Sequence, residues 1–279
     1  MKILIIGQGY LGTRCAEAWS DAAITDKIVE TVADVEKLID EHQPDAILNA
    51  AGIVGKPNVD WCETHQVETY KGNTILPLII AEACQKKGVY LLHMGTGCIF
   101  YGTAPDKQAW AEEDYANPVA VYTRCKYAAD LVLSKLPNVG VARIRIPLDC
   151  QPHPANLIDK LSSFEKIIDV ENSITVVEDM IDVFHQLLEK KAQGIYHVTN
   201  PGSIKWREIM EMYKKYVDPN HGNDWITESE LVELGLADKK RSNNIMTSLN
   251  LPKLGIKMRP VKEAVEDALR KYAKRVRKL

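Results

Sequence analysis

The segment Lys2-Ile-Leu-Ile-Ile-Gly-Gln-Gly-Tyr-Leu-Gly12 decides the fold that this sequence predicts. The apolar run before its first glycine has the length and composition of a short buried strand. A helix is expected to follow directly, over residues 13–20. A strand, a Gly-x-Gly-x-x-Gly turn and a helix in this order are typical of a dinucleotide-binding unit, although a tight turn without a ligand can share the spacing.

Each glycine of this turn has its own physical reason. Gly7 permits the tight turn after the strand, Gly9 lets the backbone approach a pyrophosphate, and Gly12 allows the helix to pack closely on the strand. The helix N-terminus then faces the phosphates. The cofactor-binding residues predicted for the turn are Gly7, Gln8, Gly9, Tyr10, Leu11 and Gly12.

The end of a second short strand, over residues 22–25, bears on the choice of cofactor. An acidic residue here binds the ribose 2′-hydroxyl of NAD, whereas a basic residue suits the phosphate of NADP. Asp26 and Lys27 stand side by side, closer to the glycines than usual. Both are candidate cofactor-binding residues and either could be an ordinary surface charge, so the sequence leaves NADH and NADPH open.

Strands and helices alternate through the first half of the chain. Further strands are expected near residues 44–50, 89–92 and 139–146, with helices over 32–43, 63–87 and 118–136 between them. This alternation predicts an α/β fold with a Rossmann-type, doubly wound parallel sheet. The pattern becomes irregular after Pro147. We therefore predict a cofactor domain of residues 1–146 with 173–198, and a smaller substrate-binding lobe of residues 147–172 with 199–279.

Ligands of such sheets bind beyond the carboxyl ends of the strands. Small residues that could press against a cofactor follow the third strand, and they are Asn49, Ala50, Ala51 and Gly52. A hydroxyl residue, Thr96, follows the next strand along the chain. Both segments are therefore candidate parts of one site.

Tyr122 and Lys126 are four residues apart on a predicted helix, so they lie on one helix face. A hydroxyl residue such as Thr96 can meet that face. The set can give a proton to a substrate oxygen while hydride moves at the attached carbon, with Lys126 expected to lower the pKa of Tyr122. The Tyr-x-x-x-Lys spacing by itself is weak, because many solvated helix faces carry it.

The composition excludes several function classes. Charged residues make up 26% and hydrophobic residues 46% of 279 residues, and the net charge of −3 suggests neither a nucleic-acid partner nor a membrane surface. Six cysteines without paired spacing predict neither a metal site nor a disulfide framework. The chain begins directly in a strand pattern and has no apolar run long enough to span a bilayer. A cytoplasmic location is therefore expected.

Several longer segments carry a resemblance to a known family. The chain resembles the extended short-chain dehydrogenase/reductases and, among them, the nucleotide-sugar 4-keto reductases of rhamnose synthesis. Within that group it is most similar to the 3,5-epimerase/4-reductase module of plant-type UDP-rhamnose synthases. The segments are residues 49–63, Thr96–Phe100, Tyr122–Lys126, 196–202 and Arg241–Asn244.

The resemblance implies roles for particular residues. Thr96, Tyr122 and Lys126 form the catalytic triad, and Lys126 also contacts the nicotinamide ribose. Cys98 and Lys160 exchange protons in an epimerisation. The non-catalytic alternatives are that Cys98 is a small buried apolar residue and that Lys160 is an ordinary surface lysine.

The resemblance also implies binding residues. Asn73 matches a cofactor-binding residue near the triad, but it could simply pin its helix to the sheet. The predicted substrate-binding residues are Lys56, Asn58, Trp61, Thr96, Gly97, Cys98, Arg241, Asn243 and Asn244. One departure is that the family usually has Gly-x-x-Gly-x-x-Gly, so the turn here is one residue shorter.

The sequence thus predicts an NADPH- or NADH-dependent 3,5-epimerase/4-reductase that converts a UDP- or dTDP-linked 4-keto-6-deoxyglucose to nucleotide-linked rhamnose. Cys98 is expected to point the same way as Thr96, because alternate residues of an extended strand share a face. A 4-reductase without epimerase activity and a non-catalytic regulatory subunit are the alternatives. The oligomeric state stays open, with a homodimer as one option.

Overall fold

The structure is a computed structural model that describes residues 1–56, 58–237 and 241–277. The strands of these residues are Ile3–Ile6 (β1), Ala22–Thr25 (β2), Ala46–Asn49 (β3), Tyr90–Thr96 (β4), Val139–Ile144 (β5), Pro147–Leu148 (β6), Lys166–Ile168 (β7), Glu171–Asn172 (β8), Thr175–Val176 (β9), Gly194–Val198 (β10), Ile204–Lys205 (β11) and Asp224–Ile226 (β12).

The α-helices of the same residues are Tyr10–Ala18 (α1), Val32–His42 (α2), Trp61–Thr64 (α3), Gln66–Tyr70 (α4), Leu76–Lys87 (α5), Val121–Leu133 (α6), Leu157–Ser163 (α7), Val177–Glu189 (α8), Trp206–Tyr216 (α9), Glu228–Glu233 (α10), Asn250–Lys253 (α11) and Val261–Val276 (α12). A π-helical turn, Lys71–Ile75, joins α4 to α5, and a 3-10 turn, Gly97–Ile99, follows β4.

A six-stranded parallel sheet in the order β10-β5-β4-β3-β1-β2 forms the centre of the fold. The strand β1 lies between β2 and β3, and all four of its residues are buried. Apolar strands of this kind are typical of a sheet that is covered on both faces. The predicted Rossmann-type α/β class is therefore confirmed.

Local capping fixes the helices around this sheet. Thr31 accepts a hydrogen bond from the backbone N–H of Asp34, whose carboxylate accepts the N–H of Thr31 at 2.8 Å in return. This reciprocal cap satisfies donors that the first turn of α2 leaves without helical partners. Gln43 ends the helix in the left-handed region, with φ of 48°.

The prediction of one long helix over residues 63–87 was wrong. The segment divides into α3, α4, a π-helical turn and α5. Pro77 has no backbone N–H, so a regular helical hydrogen-bond ladder cannot pass through this position. The π-helical turn lies just before it and contains the buried residue Asn73, and such turns are frequent at functional sites.

The chain divides into two compact units. The first consists of residues 1–99, 115–143 and 181–196, and the second of residues 100–114, 144–180 and 197–279. The predicted boundaries differ from this division mainly in two segments. Residues 100–114 and 173–180 were assigned to the cofactor domain, and they belong to the second unit.

Each unit has its own apolar core. In the first unit, apolar residues of β1, β3, β4 and β5 pack against α2, α5 and α6. In the second unit, α7, α9 and α12 pack together with β6, β7, β9 and β11. Among the described residues, none of the helices combines the length and the hydropathy that crossing a membrane requires.

Candidate active site

The predicted triad comes together at the carboxyl end of β4 in the first unit. Thr96 is the last residue of β4, and its side chain is close enough to Tyr122 on α6 to stabilise the phenolate of that residue. Lys126 lies one turn further along the same helix with only 4% of its surface exposed. Its amine donates to the carbonyl oxygen of Met94 at 2.8 Å. The strand end and the helix therefore hold a hydroxyl pair and an amine in one place.

Burial controls the protonation of both titratable members of this set. It raises the pKa of Tyr122, and the hydrogen bond from Thr96 opposes this rise by stabilising the phenolate. The raised pKa differs from the expectation that Lys126 would lower it, because loss of solvent outweighs the opposing effects. A protonated Tyr122 near neutral pH is the form that can donate a proton. Burial also lowers the pKa of Lys126 to about 8, against the attraction of Asp130.

Cys98 lies beside this hydroxyl pair. Its backbone N–H donates to Thr96 Oγ1 at 3.1 Å, and its thiol is close enough to Tyr122 to raise the pKa of that residue. The expectation that the two side chains share a strand face was wrong, because β4 ends at Thr96 and Cys98 lies in the 3-10 turn. The turn, rather than strand alternation, brings the thiol near Tyr122. Gly97, a predicted substrate contact, is buried within that turn.

The glycine turn has the shape that a dinucleotide requires. A Cβ on Gly7 would lie 2.3 Å from the backbone nitrogen of Ala51, and one on Gly12 would lie 2.1 Å from the carbonyl oxygen of Gly7. These two glycines are thus required for packing. A Cβ on Gly9 would meet nothing within 4 Å, so open space lies beside this residue.

The N-terminus of α1 borders that space. Gly9 is the N-cap of α1 and provides no side-chain cap for the first backbone N–H groups. Uncapped N–H groups and the helix dipole favour an anion such as a pyrophosphate. The open space and the uncapped helix end therefore fit a dinucleotide, which Gly7–Gly12 would hold by its phosphates. Gln8 is exposed beside Gly9, and Tyr10 and Leu11 are half-buried in the first turn of α1.

The segment Asn49–Gly52 contacts the glycine turn through the backbone of Ala51. Asn73 supports its far end, because its amide donates to the carbonyl of Ile53 at 2.8 Å and accepts the N–H of Ile53 at 3.2 Å. The amide of Asn73 also donates to the carbonyl of Thr69. Asn73 thus pins the π-helical turn to this loop, and a direct cofactor contact remains a prediction.

The two charges after β2 are both exposed. Lys27 forms an ion pair with Glu41 at 2.6 Å, and each side chain is about half exposed. Such pairs contribute little to stability, so Lys27 can reorient at little cost. Asp26 is also exposed. The structure therefore does not choose between these residues as the ribose contact.

Three predicted substrate residues lie on the loop after β3. Lys56 is exposed, and the side chain of exposed Asn58 accepts the N–H of Asp60 at 2.8 Å, which starts α3. Trp61 is half-buried and stacks on His65 with ring centroids 3.8 Å apart. The loop thus presents an amine and an aromatic ring, both in the first unit.

The other predicted polar contacts lie in the second unit, within an internal network. Buried Asn244 donates to the carbonyl of Phe100 at 2.8 Å, and its backbone N–H donates to Asn172 at 3.0 Å. Asn243 accepts from Asn172 and donates to Glu228. Arg241 is half-buried. The two asparagines thus hold this unit together, and their contact with a substrate remains a prediction.

Lys160 borders a cavity of the second unit with a volume of about 460 Å³. The Lys160 side chain is exposed at the cavity, although nearby protein atoms still lower its pKa by desolvation. The lining residues are Pro152, His153, Pro154, Asp159, Lys160 and Ser163. An amine with a lowered pKa at such a place can exchange protons, so the predicted role of Lys160 remains a prediction.

Comparisons with known proteins agree with this geometry. The family model for the RmlD substrate binding domain matches residues 1–274. The chain belongs to the RmlD substrate binding domain family. Membership confirms the predicted class, the nucleotide-sugar oxidoreductases of rhamnose synthesis.

Two plant relatives of this RmlD-family chain have several activities. A bifunctional dTDP-4-dehydrorhamnose 3,5-epimerase/dTDP-4-dehydrorhamnose reductase of Arabidopsis thaliana is 34% identical over 84% of this chain and 78% of the relative. A trifunctional UDP-glucose 4,6-dehydratase/UDP-4-keto-6-deoxy-D-glucose 3,5-epimerase/UDP-4-keto-L-rhamnose-reductase of the same plant is 32% identical over 95% of this chain. The chain spans 41% of the length of that relative.

Solved structures of the family have the same fold. The UDP-rhamnose synthase from Acanthamoeba polyphaga mimivirus superposes with a TM-score of 0.89 at 25% identity, covering 96% of this chain and 99% of the viral one. A dTDP-4-dehydrorhamnose reductase from Bacillus anthracis, solved in complex with NADP, gives 0.81 at 22% identity, covering 99% of this chain and all of the other. The second likeness shows the fold alone.

Sequence reasoning missed three buried residues around the triad of this RmlD-family chain. His93 lies between Asn49 and Lys126, and Asp130 forms an ion pair with Arg143. His93 and Arg143 could have been recognised as a polar and a charged residue in otherwise apolar strands. Asp130 could have been recognised because it occupies the next i+4 position after Tyr122 and Lys126. The described residues contain no group of three or more His, Cys, Asp and Glu side chains that could hold a metal ion.

Proposed function

We propose that the chain is an NADPH-dependent reductase of a nucleotide-linked 4-keto-6-deoxyhexose that also carries 3,5-epimerase activity. The single observation that supports this most strongly is that the hydroxyl groups of Thr96 and Tyr122 lie close together beside the buried amine of Lys126. When bound, the dinucleotide supplies hydride. The open space beside Gly9 and the uncapped N-terminus of α1 support a dinucleotide in this role.

The residues at the end of β4 divide the work of reduction. Tyr122 and Thr96 bind the 4-keto oxygen and stabilise the negative charge that develops on it. Tyr122 then donates its proton to that oxygen, since burial keeps the phenol protonated. Lys126 lies one helical turn away and orients the ribose of the cofactor. These roles need a protonated phenol, which the structure favours.

The epimerase part of the proposal concerns protons at C3 and C5. These protons are acidic because they adjoin a ketone, and holding the enolate oxygen makes their removal easier. The thiol of Cys98 lies near Tyr122, and its proposed role is to exchange the proton of a neighbouring ring carbon. Lys160 is the second proposed acid/base residue. The bifunctional plant relative, matched over 78% of its length, supports this part.

A product analysis in deuterated water tests the proposal. The protein is incubated with UDP- or dTDP-linked 4-keto-6-deoxyglucose and with NADPH or NADH, and the sugars are identified. A nucleotide-linked rhamnose with deuterium at C3 and C5 is expected. Reduction of a pre-epimerised substrate without deuterium exchange would make the protein a plain reductase. Cofactor binding without any turnover would make it a regulatory subunit.

A further inference from the structure

Two buried polar side chains, those of Asn49 and His93, form a chain of contacts that leads to Lys126. Asn49 of β3 and His93 of β4 are register partners on neighbouring strands. Neither side chain has any exposed surface, and His93 reaches Lys126 with 3.4 Å between Nε2 and Nζ. The proposed mechanism uses neither Asn49 nor His93. Buried polar residues of this kind are retained only where their hydrogen bonds are satisfied.

The hydrogen bonds of Asn49 fix the orientation of its amide. The backbone N–H of Ala51 can only donate, so the atom 3.0 Å from it must be the oxygen, Oδ1. The amide nitrogen then faces Nδ1 of His93 at 3.0 Å. An amide nitrogen only donates, so Nδ1 of His93 must accept and cannot carry a proton.

This orientation decides what His93 presents to Lys126. Complete burial and the nearby amine hold the pKa of His93 well below its usual range, so the ring is neutral. With Nδ1 unprotonated, the single ring proton is on Nε2 and points at the Lys126 amine. An ammonium group has three donors and no acceptor, so the two N–H groups repel each other, whereas an uncharged amine can accept this hydrogen.

We propose that His93, held by Asn49 in the tautomer that carries its proton on Nε2, is a positioning residue that favours the uncharged form of Lys126. His93 itself touches neither the substrate nor Tyr122 in this proposal. It acts through the amine. Asn49 acts one step further away, because its amide sets the tautomer.

Other charged groups around Lys126 act in the opposite direction or are balanced. Asp130, one turn further along α6, favours the ammonium form. Arg143 of β5 neutralises much of this effect, because its Nε donates to Asp130 Oδ2 at 2.8 Å. Tyr122 precedes Lys126 by one turn and stays protonated, and Cys62 of α3 lies near Tyr122. His93 is therefore the uncharged group that can tip the balance at Lys126.

The catalytic consequence rests on the proposed reductase function. Each reduction leaves Tyr122 as a phenolate, which must regain a proton before the next substrate binds. An amine that changes charge near neutral pH returns this proton more readily than an ordinary lysine. The alkaline limb of the pH–rate profile then reports Lys126, since activity falls as the ammonium form is lost.

The tautomer can be observed without any activity. The imidazole ¹⁵N resonances of His93 are assigned by their loss in His93→Asn, and they are expected to show a proton on Nε2. In Asn49→Asp the new carboxylate oxygen only accepts, so the proton should move to Nδ1. A proton on Nδ1 in the parent protein, or no change of tautomer in Asn49→Asp, would overturn the proposal.

The protonation of Lys126 is measured by NMR of ¹³C-labelled lysine. His93→Asn keeps an acceptor for Asn49 but removes the N–H that faces the amine, so the pKa of Lys126 should rise by about one unit or more. Tyr90→Phe is the control, because it removes a buried hydrogen bond to Ala192 from the same strand. An equal Lys126 pKa in His93→Asn and the parent would contradict the proposal.

The pH dependence of turnover separates this proposal from the proposed function. The alkaline limb should move upward by about one pH unit in His93→Asn and stay in place in Tyr90→Phe. If the parent protein reduces no 4-keto sugar, the proposed function fails. The two NMR measurements then still decide the role of His93.

Discussion

Arg143 donates to Asp130 at 2.8 Å, and the two side chains are only 1% and 0% exposed. The pair joins β5 to α6, the helix that carries Tyr122 and Lys126. Burial raises the pKa of Asp130 more strongly than Arg143 lowers it. The charged pair therefore costs desolvation energy and holds α6 through a specific contact, rather than by net electrostatic gain.

Breaking this pair should cost much more than replacing it. We expect Arg143→Met to lower the free energy of unfolding by about 3–5 kcal/mol, because the buried carboxylate of Asp130 loses its hydrogen-bonded ion-pair partner. The double variant Arg143→Met/Asp130→Leu should recover most of the loss. Urea denaturation of the three proteins measures both effects. Equal stability of the single and double variants would show that Asp130 has another compensating partner.

Tyr122→Phe should reduce 4-keto reduction by about 100- to 10,000-fold, since it removes the proposed proton donor. Cofactor affinity should change little, because the glycine turn is untouched. Steady-state kinetics and cofactor fluorescence titration measure the two quantities. Tyr115→Phe is the matched control, because Tyr115 is 85% exposed. Near-normal turnover in Tyr122→Phe would remove Tyr122 from the mechanism.

Two glycines of the first turn, Gly9 and Gly12, should separate cofactor binding from stability. Gly9→Val should fold normally, because open space surrounds its Cβ position, but it should weaken dinucleotide binding strongly. Gly12→Ala should instead lower the melting temperature, because its Cβ would lie 2.1 Å from a carbonyl oxygen. Fluorescence titration and thermal unfolding test the pair. Unchanged affinity in a folded Gly9→Val protein would mean that the turn holds no phosphate.

Cys98→Ala should separate epimerisation from reduction. Deuterium incorporation at C3 or C5 should fall by about 100-fold or more, which is the usual contribution of a general acid or base. Hydride transfer to a substrate that is already epimerised should stay within about tenfold, because Thr96 and Tyr122 remain. Cys125→Ala is a suitable control, since this cysteine is also a partly exposed free thiol. Equal exchange in the parent and Cys98→Ala would leave Cys98 as a packing residue.

The buried Lys126 should give stability a specific pH dependence. Its pKa of about 8 in the folded protein lies below the value of 10.5 for an ordinary lysine, so folding releases a proton between these pH values. The buried Lys126 amine therefore destabilises the folded protein to its full extent below pH 8, and this effect is lost above pH 10.5. Relative to Lys126→Met, the parent should gain about 1.4 kcal/mol per pH unit across this window. A constant difference between the two proteins would show that the pKa of Lys126 is not lowered.

The parts of the site that follow from local sequence could be predicted. The glycine turn and the Tyr122–Lys126 spacing depend on residues within a few positions of each other, and strand–helix alternation decided the sheet. Pro77 is a local signal for the break between α3 and α5, but it does not give the bounds of the shorter helices. The hydrogen bonds of Asn73 to Ile53, which is 20 residues away, could not be predicted from local sequence.

The contact between His93 and Asn49 could not be predicted from local sequence either, because it depends on the register that places the two residues opposite each other on neighbouring strands. The unit boundaries have a similar cause. The backbone N–H of Trp110 donates to the carbonyl of Ile245, and the carbonyl of Trp110 accepts the N–H of Thr247, both at 2.8 Å. These bonds place residues 100–114 in the second unit, although they follow β4 directly in the chain.

The interleaved course of the chain has an evolutionary consequence. Each unit is assembled from separated segments, so a single crossover between residues 100 and 196 would take some segments of both units and leave others behind. Exchange of one complete unit would therefore require several crossovers, whereas the whole stretch can be exchanged with two.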